Sequence, residues 1–153
     1  MTRRQAHFFA AIAVAVLLAA PAGAAEALFE ADMSGGQLVP PVDTPATGFV
    51  RAVLDTDTRE INWLVTYRGL SGAATGFSFN GPALPGGNAG PLMSPLGSAS
   101  SPILGGAVVS AARADMLLAG EVYVVVTTAM FPQGELRAQL TLVELEAGGG
   151  GED

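Results

Sequence analysis

An antiparallel all-β sandwich with one short helix is the fold class this sequence predicts. Three observations lead there. Apolar and polar residues alternate with a period of two on both sides of a short polar turn, from Phe49 to Tyr67. Glycine and proline punctuate the chain so often that its ordered segments must be short. Only the stretch from Ala111 to Ala119 combines helix-favouring residues with start and stop signals. Seven or eight strands and one helix suit two packed antiparallel layers.

The chain opens with "MTRRQAHFFAAIAVAVLLAAPAGAAEA". Arg3 and Arg4 precede an apolar run from Phe8 to Ala20, and Ala22-Gly23-Ala24 supplies small residues for cleavage near Ala24 or Ala25. Residues 1–25 therefore read as a secretory signal peptide. The apolar run is too short for a comfortable membrane span and ends at Pro21. No cysteine follows to carry a lipid, and no second long apolar run follows either. The expectation is a soluble protein, secreted or periplasmic, with no stable membrane anchor after cleavage.

Residues 26–146 read as one domain, with strands from Leu28 onward. "GQLVPPVDTPATG" over 36–48 holds Pro40, Pro41 and Pro45, which exclude a central strand and leave a stiff, extended connection. In the hairpin that follows, Ile61, Trp63, Val65 and Tyr67 form the face predicted to be core, because it gathers the largest apolar surfaces. That placement also outweighs reading Trp63 and Tyr67 as a carbohydrate-stacking platform. Asp55, Asp57 and Glu60 lie in the connection; they lack the further oxygen ligands and the glycine of a calcium loop and read as a polar turn. Phe77 and Phe79 alternate with Ser78 and Asn80 until Gly81-Pro82 ends the strand. Residues 81–102 carry five prolines among Gly, Asn and Ser and are expected to be a mobile loop without regular structure. Ser110 is the expected helix N-cap and Gly120 the stop, with Met116, Leu117 and Leu118 pinning the helix to the sandwich. Val122 to Thr128 is apolar enough to be a strand covered on both faces or central in its sheet. A last strand sets Leu136, Ala138, Leu140 and Leu142 against Glu135, Arg137, Gln139 and Thr141. Residues 147–153 form a flexible Gly-rich tail.

Composition excludes more chemistry than it suggests. The only histidine, His7, lies in the signal segment, and there is no cysteine and no lysine anywhere. Beyond the signal, five arginines face fourteen carboxylates, a formal charge of −9. Nucleic acid and anionic lipid both require clustered cations, so neither is an expected partner. Zinc, copper and iron–sulfur sites rest mainly on imidazole or thiolate, and nucleophile pairs built on His or Lys are likewise unavailable. Carboxylates, Tyr67 and Tyr123 are left for any acid–base role. No disulfide can form, so packing alone must hold the fold.

Four segments, "MSGGQLVPPVDTPATG", "TREINWLVTYRGLSG", "NGPALPGG" and "LLAGEVYVVVTTAMFPQGELRAQL", stand in an order that resembles the CHRD domain over roughly residues 28 to 143. The resemblance implies an immunoglobulin-like or superoxide-dismutase-like β-sandwich, an architecture that hosts many unrelated functions. Bacterial members of that family carry His-x-His-Gly-Pro on the strand after the Trp hairpin and a further His after the LLAG helix, a pattern similar to the copper ligands of a superoxide dismutase. Here those positions are Ser78, Asn80 and Thr127. Hydroxyls and an amide join a hard-cation site only alongside carboxylates. Glu135 is the one nearby candidate, and its position two residues from Arg137 predicts a salt bridge instead. Ser78, Asn80, Thr127, Glu135 and Arg137 thus form a degenerate pocket, with no metal, no cofactor and no catalytic residue expected. The implied function is an exported, non-catalytic CHRD-domain binding or interaction module for an unknown protein or envelope component. Its ligand surface would be the 81–102 loop or the strand face around Ser78, Asn80 and Thr127. The alternative is a metal-binding or carboxylate-dependent enzyme on a superoxide-dismutase-like sandwich, pairing Glu135 with Asp55, Asp57 or Glu60.

Overall fold

The computed structural model describes residues 23–148. Of the predicted signal and tail, all lies outside these residues except Gly23–Ala25 and Ala147–Gly148, which continue the first and last strands. The order is β1 (Gly23–Ser34), a 3-10 turn (Gly35–Gln37), β2 (Thr47–Asp55), β3 (Glu60–Arg68), β4 (Ala74–Asn80), β5 (Pro91–Met93), β6 (Ile103–Val108), α1 (Ala111–Leu118), β7 (Tyr123–Thr128), β8 (Leu136–Gln139) and β9 (Thr141–Gly148). All pairings between strands are antiparallel. One layer runs β9-β1-β2-β3-β6 and the other β5-β4-β7-β8, joined through the single pair Ser34↔Arg137.

The two layers face each other across one core. Trp63 on β3 and Phe79 on β4 share no strand pairing, yet their rings meet edge to face at 5.0 Å. Phe77 closes the trio at 5.2 Å from Phe79. Val50, Ala52, Leu54, Ile61 and Val65 from one layer and Val124, Val126, Leu136 and Ala138 from the other complete the filling. The all-β sandwich expectation and the Trp63 core face are borne out. In the turn after β2, the Asp55 carboxylate accepts the N–H groups of Asp57 and Thr58, both at 2.9 Å. The backbone N–H of Thr58 is the main cause that holds the Asp55 carboxyl below its ordinary pKa.

α1 starts where the capping residue predicts, with Ser110 Oγ accepting the Arg113 N–H at 3.3 Å. Gly120, at φ +74°, closes it. Ala114 and Leu117 are buried and Met116 half-buried, but Leu118 is exposed, contrary to its expected place in the contact. Eight residues can aim only one narrow stripe at the sandwich, and three consecutive residues cannot share it.

Two expectations need larger corrections. The last strand is not continuous. Its inward alternation holds through Leu140, whose N–H donates to Val122 O at 2.9 Å. The chain then passes from β7 to β1, and Leu142 is left exposed opposite Phe29. Nor is 81–102 free of structure. Pro91–Met93 forms β5 beside the end of β4. The carbonyls of Ala83, Leu84, Gly87 and Ala89 accept hydrogen bonds from Gln139, Arg137, Arg137 and Tyr123 respectively. Side chains from β7 and β8 supply the ordering that a Pro/Gly backbone cannot supply itself.

Candidate functional site

β7 is buried on both faces, as its continuous apolar run predicts. Val124, Val126 and Thr128 point into the core. Tyr123 and Val125 point outward and are covered by Leu38, Val42, Ala83 and Ala89. The outer face of β4-β7-β8 is thus a second, smaller interior, roofed by the 35–46 and 81–90 connections. It is here that Ser78, Asn80, Thr127 and Arg137 lie.

They do not converge on one point. Ser78 Oγ donates to Asn80 Oδ1 at 2.7 Å, and Asn80 Nδ2 reaches Ala89 O at 3.4 Å. Thr127 pairs with Gly76, at the far end of β4 from Asn80, and its hydroxyl bonds that of Thr75 at 2.9 Å. Arg137 is 1 % exposed; its guanidinium stacks on the Tyr123 ring, 3.6 Å from the centroid, and donates to Gly87 O, Leu84 O, Asn88 Oδ1 and Gln139 Oε1. Burial lowers its pKa below the ordinary value.

Glu135 does not pair with Arg137, and here the sequence expectation is corrected. The carboxylate is 0 % exposed and accepts four hydrogen bonds. Thr44 Oγ1 donates at 2.8 Å, the Ser71 N–H at 2.9 Å, Ser71 Oγ at 2.8 Å and Thr128 Oγ1 at 2.8 Å. Burial pushes its pKa up, but the bonds from Ser71, Thr128 and Thr44 together outweigh that and hold it below the ordinary value. Both oxygens are saturated by neutral donors. Asp55, Asp57 and Glu60 lie at the opposite end of β3 from Ser71, about 25 Å away at the rise of a strand. The carboxylate pair that hydrolysis would need is not assembled.

A metal of the kind the resemblance implies does not fit these residues. Ser78 and Asn80 satisfy each other, Thr127 faces Thr75, and the one carboxylate is committed elsewhere. Among the described residues, no group of three or more His, Cys, Asp or Glu gathers to hold an ion.

Beside Asn80 the roof leaves an open groove of about 670 Å³. Leu38, Val42, Val125 and Phe131 give it apolar walls, and Asn80 and Asn88 offer amides. Among the described residues Tyr123 is its only ionisable lining residue, and that hydroxyl already exchanges hydrogen bonds with Ala89 N and O at 2.9 and 2.8 Å. Met130 stands at the rim, exposed. Sequence reasoning named Tyr123 only as a residual acid–base candidate, and did not single out Asn88, Gln139, Thr44 or Ser71 as site residues. The one available signal was an aromatic hydroxyl at an outward position in an otherwise aliphatic run.

Among the described residues no helix is long and apolar enough to cross a membrane. In comparison with known families, the chain matches the CHRD domain over residues 29–140. No curated protein and no solved structure matches it.

Proposed function

Because the chain belongs to the CHRD domain family, we propose that it is an exported, non-catalytic binding module whose ligand surface is the groove over β4 and β7. The observation that carries this reading is the chemistry of the groove. Its walls are apolar, its polar side chains are neutral amides and the bonded Tyr123 hydroxyl, and among the described residues no free acid, base or nucleophile faces it. Such a lining suits an uncharged segment of a protein or envelope component, held by amide hydrogen bonds and a few apolar contacts. The three positions where the family resemblance would place histidines carry hydroxyls and an amide bonded to neighbouring groups, so binding and not redox chemistry is the role their residues support.

The reading is tested by immobilising the exported protein and capturing from envelope extract, with Met130→Arg and Asn88→Asp in parallel. One discrete component should be retained by the wild type and lost from both variants; Met130 is exposed at the rim, and Asn88→Asp keeps the acceptor that Arg137 uses while giving up the donation to Val39 O. A metal-dependent turnover in contaminant-free protein would overturn the reading.

A further inference from the structure

Three strands end the sheet order among the described residues, β5, β9 and β6, and they are not equally defended. β5 is three residues long and begins with Pro91. β9 carries Glu144. Short length, proline and charge are the usual means by which an edge avoids pairing with another chain. β6, "ILGGAV", has none of them. It ends the sheet order, pairing only with β3, and an open cleft of about 1140 Å³ runs along Leu104 to Ala107.

Charge sets the same edge apart from β9. Beyond the signal the chain carries −9, so two copies repel over most of their surfaces. Yet no charged residue occurs from Gly69 to Ala112, a stretch that contains β4, β5 and β6. On the solvent face of β6, Leu104 is 71 % and Val108 70 % exposed, and Leu104 continues an apolar row from Leu64 on β3.

We infer that β6 is a self-association edge, and that its partner is the β6 strand of a second copy, paired antiparallel about a two-fold axis. Facing residues in an antiparallel pair must share a sheet face. An axis at Gly106 meets that condition. It sets Leu104 opposite the partner's Val108 on the solvent face, twice over, with Gly106 against its own equivalent and Gly105 opposite the partner's Ala107. Two exposed apolar side chains cover each other, and the two five-stranded layers become one ten-stranded sheet. The axis at Gly105 would instead bring Val108 against the partner's Pro102, which has no N–H to offer. This association is independent of what the groove over β7 binds.

The test is sedimentation of the purified exported protein from low micromolar to near-millimolar concentration. The wild type should pass from monomer to dimer. Leu104→Glu with Val108→Glu sets carboxylates opposite carboxylates and should weaken the dimer at least about tenfold. Leu104→Lys with Val108→Lys should do the same alone, and mixing the two double variants should restore a heterodimer. Leu145→Glu on β9 should dimerise as the wild type does. Because Leu104 and Val108 are exposed, the variants should fold and, at concentrations where every protein is monomeric, melt close to wild type, with the Glu variant lowest because Val108 is paired with Glu60. A wild type that stays monomeric throughout, a dimer that Leu145→Glu breaks and the β6 variants do not, or Glu and Lys variants that fail to recombine would each overturn the inference.

Discussion

Glu135 shows how a carboxylate can be enclosed and held by neutral donors, with no cationic partner among the described residues. Burying a carboxylate is costly unless its oxygens are hydrogen-bonded, and here two threonines and one serine supply all four bonds. Glu135→Gln puts an amide donor against donors, so at neutral pH it should lose about 1–3 kcal/mol, read from urea midpoints. The folded-state pKa of Glu135 lies below its ordinary value of 4.5. Its contribution is therefore full above that value and is lost as pH falls through the lower, folded one. The gap between wild type and Glu135→Gln should accordingly narrow on acidification, and a gap that widens would contradict this account. Arg137→Lys should cost a similar ~1–3 kcal/mol, because an ammonium can neither stack flat on Tyr123 nor reach three loop acceptors at once. The same variant should speed amide exchange in residues 81–90. None of these partnerships is visible in spacing. Glu135 and Arg137 stand two apart in sequence, which suggests a pair, whereas Thr44 and Ser71 lie 91 and 64 residues away from Glu135.

Elements were legible where one periodicity ran unbroken. The β2–β3 hairpin, the doubly buried β7 and the Ser110-capped helix all follow from local pattern, because alternation and capping are local causes. The passage from β8 to β9 does not. The inward positions continue to Leu140, and what ends the register is a backbone bond to Val122 followed by a change of neighbour. Proline and glycine in 81–90 announce a loop correctly but are silent about the side chains that hold it. The turn before β8 gives a sharper case. Gly134 sits at φ +136°, and a Cβ there would come 2.7 Å from Leu38 Cδ2 and 2.8 Å from Val125 Cγ1. Gly134→Ala should therefore destabilise by about 2 kcal/mol, combining backbone strain with crowding. Gly72→Ala, with nothing within 4 Å of the added carbon, should stay within about 0.5 kcal/mol of wild type. Paired thermal melts check both.

Across the whole molecule, a sandwich without disulfides rests on one shared core, and the 136–148 segment belongs to both layers. Melting should be a single cooperative transition, with no step in which one layer survives the other. Calcium, zinc, copper and a chelator should each leave that transition where it is, since anything bound by the native state would raise it by mass action. A rise with calcium alone would reveal an oxygen site that the geometry around Asn80 and Glu135 does not provide. A rise with copper or zinc would return the Ser78, Asn80 and Thr127 face to the list of metal sites. Finally, Gly23 of β1 is paired directly with Gly148 of β9, so both ends of the domain leave from one spot. Tension applied through those ends would load a single hydrogen-bonded pair at a time and peel the strands apart like a zip, instead of shearing the whole ladder together. Anchored through one end the domain is a pendant that feels no pull; strung between two anchors it is the link that yields first.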